Sequence, residues 1–158
     1  MIRSILIVFL AMAIFIPAAV QAQESFESTV CVSATLNVIH MSDEILLSSF
    51  DLKGMVRSDS NSEFLNDVSE WCVGLTGKVG DKMSQRGYCK YVYPNGDINL
   101  GEWEGIGSDG TFKFIFGTGK WQGLKGEGTW NVIQRAKSVA PGTFQNCRKL
   151  KGTYELPK

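Results

Sequence analysis

The sequence predicts an all-β chain, a single antiparallel barrel of seven or eight strands, and three observations lead there. Of the 17 glycines, 16 lie between Gly74 and Gly152, about 20% of that 79-residue stretch against a usual share of roughly 7%. Residues 111–116 alternate with period two, setting Phe112, Phe114 and Phe116 against Thr111, Lys113 and Ile115, as a strand with two unlike faces requires. Turn signals recur at Pro94-Asn95-Gly96-Asp97, Ser108-Asp109-Gly110 and Gly117-Thr118-Gly119. Strands punctuated in this way make a meander, and rolling it into a barrel removes its two open edges.

The elements follow in order along the chain. Residues 1–22 read as a secretory leader: Arg3, a 12-residue apolar run from Ile5 to Ile16, Pro17, and a Val20-Gln21-Ala22 cleavage site. Pro17 and Gln21 cut the run short of the roughly 20 apolar residues a spanning helix needs, so no stable membrane span is expected after cleavage. Residues 23–158 then form the single barrel domain, 136 residues long (158 − 22). Residues 44–57 show no clean helical period and carry Gly54, which favours a strand. Residues 58–69 are polar and read as a loop or short helical turn. The clearest hairpin is 88–104, folded about the Pro94-Asn95-Gly96-Asp97 turn. A strand over 111–116 follows, then a loop over 120–125 around Trp121. A strand over 126–134 sets Trp130 and Val132 on one face, a long connection spans 135–145, and a last short strand covers 151–156.

Composition narrows the function. With 44% hydrophobic residues the chain can bury a core, and a formal net charge of +0 gives no support to a nucleic-acid partner held by bulk charge. Charge is nevertheless uneven, with nine acids and two bases over 23–70 but one acid and six bases over 135–158. An acidic first third lying beside a basic tail accounts for this; a tail that touches an anionic surface is the other reading. Export places the chain in an oxidising compartment, periplasmic or extracellular, where Cys31, Cys72, Cys89 and Cys147 read as two disulfides. Of the three pairings, Cys72 with Cys89 suits a hairpin about residues 77–87, which leaves Cys31 with Cys147 to tie the start of the domain to its end. With no Cys-x-x-Cys and with His40 the only histidine, neither a metal site nor a cofactor is expected.

The segment from Gly117 to Trp130, with its Gly117-Thr118-Gly119 turn, Trp121 as the loop aromatic and Gly126-Glu127-Gly128-Thr129-Trp130 opening the next strand, resembles a motif of the allene oxide cyclase and dirigent barrels. Cys89, Gly96-Asp97 and Gly101-Glu102-Trp103 are similar to a pattern in uncharacterised exported bacterial proteins. The resemblance covers about 45 residues, 87–131. It implies an eight-stranded antiparallel barrel with an apolar interior, and it transfers no catalytic residue. The residues alone agree, since glycines allow close backbone approach and Trp121 fills the space that they leave. A phosphate loop at Gly119-Lys120 would need a following helix, and the sequence there reads as strand.

The candidate ligand-binding residues are Tyr91, Tyr93, Phe112, Phe114, Phe116 and Trp130, which would line an apolar pocket if they face inward together, or simply fill the barrel. Turned outward, such a stripe would suit a homo-oligomer interface. Glu102 and Glu104 share one strand face and are the weak catalytic candidates, with a solvated outer face as the blander reading. Asp97 and Asn99 are expected to serve the adjoining turn. No Gly-x-Ser-x-Gly elbow occurs and no second histidine is present, so serine hydrolase chemistry is not supported. The chain therefore reads as an exported, non-catalytic barrel that binds a small apolar ligand or a partner. An isomerase or cyclase using Glu102 and a structural envelope protein with a filled core are the alternatives.

Overall fold

Alternating burial runs through nearly every segment from residue 24 onward, and it produces eight strands in a computed structural model that describes residues 22–60 and 62–157. The strands are β1 (Glu24–Met41), β2 (Ile45–Ser58), β3 (Val68–Val79), β4 (Lys82–Val92), β5 (Ile98–Ile106), β6 (Asp109–Gly117), β7 (Lys125–Ala136) and β8 (Thr143–Glu155). They pair antiparallel in chain order, and β8 returns to β1 to close the barrel. The leader expected over residues 1–22 lies, apart from Ala22, outside the described residues.

The hairpin over 88–104 forms as β4 and β5, and the turn between them is tightened by an Asn95 side chain that accepts from the Asp97 amide. Elsewhere the strands run longer than their sequence signals. Gly54 sits within β2, β8 begins at Thr143, and the connection over 135–145 shrinks to residues 137–142. The 18-residue β1 had no such signal at all, because Ser, Thr, Glu and Asn occupy many of its positions. Its inward set, Phe26, Ser28, Val30, Val32 and Ala34, is wholly buried.

The two disulfides lie on opposite sides of the barrel wall. Cys31 and Cys147 are direct cross-strand partners on the outside, joining the first strand to the last. Cys72 and Cys89 are partners on the inside, joining β3 to β4, and both are buried. The acidic first third and the basic tail meet along the same seam. There Lys149 bridges Glu27 and Asp59, and Lys151 also reaches Glu27.

Three inward glycines make room for rings. A Cβ added at Gly74 would stand 2.6 Å from Phe50 Cζ, one at Gly87 3.0 Å from Trp103 Cζ2, and one at Gly128 2.8 Å from Phe112 Cζ. The rings of neighbouring strands thus occupy the volume that side chains at these positions would take.

Candidate functional site

At one end of the barrel, rings from separate elements converge. Phe26 comes from β1, Phe112 and Phe114 from β6, and Tyr154 from β8, while Tyr93 follows β4 and Trp121 closes a 3-10 turn at Gly119–Trp121. That turn is pinned from below by Asp97, whose Oδ2 accepts from the Lys120 amide at 3.1 Å. Phe64, from the β2–β3 connection, sits in the middle of the group. Its ring stacks on Tyr154 at a centroid distance of 4.0 Å and meets Phe26 edge-on at 4.9 Å, Trp121 at 5.1 Å and Phe114 at 5.4 Å. Phe64 and its neighbour Leu65 are fully buried.

Polar groups edge this apolar seat. Tyr154 donates its hydroxyl to Glu24 Oε2 at 2.6 Å, and Asn99 Nδ2 donates to the Tyr93 hydroxyl at 2.8 Å. Burial foremost, with the Glu24 hydrogen bond and charge behind it, pushes the Tyr154 phenol up to about 12. Burial likewise raises Tyr93, and it raises Tyr91 with the negative charge of Glu70 adding to the effect. A phenol held neutral more firmly in the folded chain than in the unfolded one stabilises the fold fully below the unfolded value near 10. That contribution disappears as pH rises through the folded value, so the thermal midpoint is expected to fall between pH 10 and about 12. A melting series followed by circular dichroism, with tyrosinate absorbance recorded in parallel, checks this; ionisation of all four tyrosines at pH 10 with no loss of structure would contradict it.

Above the seat lies a buried charge pair. Arg148 Nη2 donates to Glu70 Oε2 at 2.7 Å, with the two side chains 9% and 1% exposed. Tyr91 stands opposite Glu70 in the β3–β4 register. The Glu70 carboxylate also lies within 4.8 Å of both Cys72 and Cys89 sulfurs, which are spent on their disulfide.

The candidate residues separate into four groups. Tyr93, Phe112 and Phe114 belong to the aromatic end, and Tyr91 touches it through a 6.0 Å edge contact with Phe114. Trp130 faces inward one layer away, edge-on to Trp103 at 5.9 Å, with Nε1 donating to the Glu104 carbonyl at 3.3 Å. Phe116 is a correction. β5 pairs Leu100 with Phe116 but Gly101 with Phe114, so Ile115 is an extra residue in a β-bulge and Phe116 turns outward, half exposed. Glu102 and Glu104 lie on the outer face of β5. Trp103 between them takes the inward position, both carboxylates point outward, and Glu102 is held by Lys113 Nζ at 2.7 Å. Phe114→Ala should therefore cost about 3–5 kcal/mol of stability and Phe116→Ala under about 1, a contrast that paired urea titrations will show.

Phe26, Phe64, Tyr154, Glu70 and Arg148 were not among the candidates. Parity carried a signal for four of them. Glu70 shares the face of Cys72, Arg148 and Tyr154 share that of Leu150, and Phe26 shares that of Val30. Phe64 lies in a connection without a period, so no periodicity marks it.

A groove, roughly 1380 Å³, runs across the outer surface from β1 to β7 between two rows of outward side chains. Its apolar stretch is Val73, Leu75 and Tyr88, and Glu102, Glu104 and Lys113 line its far part. Because Phe50, Trp103 and Phe112 fill the inner side of Gly74, Gly87 and Gly128, this groove is separate from the bore.

No family model and no curated protein matches the sequence. Among solved structures, the fold is similar to two described as pterocarpan synthase dirigent proteins. GePTS1 covers 87% of this chain and 93% of its own, at a TM-score of 0.53 and 8% identity. PsPTS1 covers 87% of this chain and 97% of its own, at 0.50 and 8%. At that identity the likeness shows a shared barrel fold.

Proposed function

We propose that this chain is an exported, non-catalytic barrel that binds a small apolar molecule at its aromatic end. One observation carries the reading. Rings from β1, β6, β8 and the 3-10 turn surround a single phenyl-sized position, and a connection instead of a strand supplies its occupant. Trp103, Trp130 and Phe50, which fill the other layers, all come from strands. Hydroxyls of Tyr93 and Tyr154 at the edge of the seat offer a polar ligand group a partner, which suits an amphipathic ring better than a plain hydrocarbon.

Export to the periplasm or beyond is supported by the leader-like residues 1–22 and by two disulfides, which persist in oxidising compartments. The dirigent neighbours share the fold, and their description as pterocarpan synthase proteins is compatible with a barrel that handles small molecules. Native mass spectrometry of the purified protein, with titration of an apolar fluorescent probe, tests the reading. The expected result is a co-purified or added apolar molecule bound at one per chain. Masses of the bare chain throughout, together with no probe response, would support the filled structural barrel instead.

A further inference from the structure

Phe64 occupies its seat as a ligand would. It is fully buried among four rings, yet it hangs from residues 62–67, which pair with no strand. The segment is held by the burial of Phe64 and Leu65 and, at its rim, by three polar contacts. Glu63 forms an ion pair with Lys120, Asp67 accepts from Arg57 Nε at 3.1 Å, and Asn66 Oδ1 accepts from the Ser58 amide at 3.3 Å. The first two of these involve well-exposed side chains, the class of contact that holds weakly. Backbone conformation works against the seated position as well. Leu65 has φ +51° and Asp67 φ +53°, a left-handed region that a leucine adopts rarely and at a cost. Such strain persists only where the surroundings enforce it, and here the enforcing contacts are the burial of Phe64 and Leu65 themselves.

We infer that Phe64 is a built-in competitor: residues 62–67 hold a phenyl ring in the binding seat, and an external aromatic molecule binds by displacing it. The inference rests on the proposed function, and it adds the regulation of that site. Affinity measured on the intact chain is the intrinsic affinity reduced by the fraction of molecules with the seat vacated. Removing the internal ring, or loosening its fastening, must then tighten binding. A cavity cut by Phe64→Ala in a plain filled core would also take up an aromatic probe, so the discriminating readouts are binding to the intact chain and the effect of loosening the fastening.

Toluene and indole, which match the phenyl-sized seat, are the probes. They are titrated into the intact chain, Phe64→Ala and Glu63→Gln, followed by NMR shifts, with amide exchange of residues 62–67 measured with and without probe. Displacement predicts binding to Phe64→Ala at least about tenfold tighter than to the intact chain, and to Glu63→Gln about two- to fivefold tighter. It also predicts that probe binding to the intact chain exposes the amides of 62–67, whereas uptake by Phe64→Ala alone, with none by the intact chain or Glu63→Gln, would mark a cavity cut in a filled core and overturn displacement. Equal affinity for all three chains with those amides unchanged would overturn displacement and leave a ligand-binding barrel standing. No binding to any of them would overturn the proposed function and displacement together. Should Phe64→Ala fail to fold, the direction of the Glu63→Gln change decides, since that exposed substitution leaves the core intact.

Discussion

Arg148→Met alone should lower the stability of the folded chain by about 3–5 kcal/mol, and Arg148→Met together with Glu70→Gln should recover most of that loss. The Glu70 side chain is 1% exposed, and its charge is met inside the barrel by the Arg148 guanidinium at 2.7 Å. Burying a carboxylate without that cation leaves a desolvated charge beside the apolar wall of Val68, Val56 and the inner disulfide. Neutralising Glu70 in the same chain removes the charge, and Gln can still hydrogen-bond. The singly substituted chain should therefore be the less stable of the two, an ordering opposite to the additive expectation. Urea unfolding at neutral pH, with both variants measured beside the parent, shows it. Equal losses in the single and double variants would mean that the cost comes from losing Arg148 itself and not from an unpaired Glu70 charge.

Cys31→Ala with Cys147→Ala should also act strongly, lowering stability by about 2–5 kcal/mol. The bridge joins residues 116 apart, and loop-closure entropy alone assigns more than 4 kcal/mol, roughly, to a loop of that length. It also fastens β1 to β8, the one seam of the barrel that no hairpin connects. Cys31 is exposed, so its removal opens no cavity, and the loss can be assigned to the constraint itself. The inner bridge closes a loop of only 17 residues, and its removal would combine a smaller entropic loss with a void beside Glu70. Thermal unfolding under non-reducing conditions tests the outer bridge; an unchanged midpoint would show that the seam is held by the β1–β8 ladder alone.

What could be read from the sequence follows from where period and turn chemistry are strong. From Cys72 onward, glycine turns and aromatic alternation mark the strands, and the cysteine spacing leads to the observed pairs. Polar-rich β1 gives little signal, because its stability comes from pairing on both sides with β2 and β8, which is long-range information. Phe116 is misplaced because strict alternation assumes no bulge, and the extra Ile115 shifts everything beyond it by one. The aromatic end was legible in part. Tyr93, Phe112 and Phe114 were marked by strand parity, whereas Phe64 reaches the centre through loop geometry that no local pattern encodes. Charged residues with inward parity, Glu70 and Arg148, run against the usual preference of such residues for water, and only the register that opposes them explains their burial.

The most direct test of a ring-binding barrel end is an NMR measurement of through-space contacts between toluene and the protein. Toluene protons should give cross-peaks to the rings of Phe26, Phe114, Trp121 and Tyr154, which surround the Phe64 seat. Cross-peaks confined to Val73, Leu75 and Tyr88 would place binding in the outer groove and contradict the account.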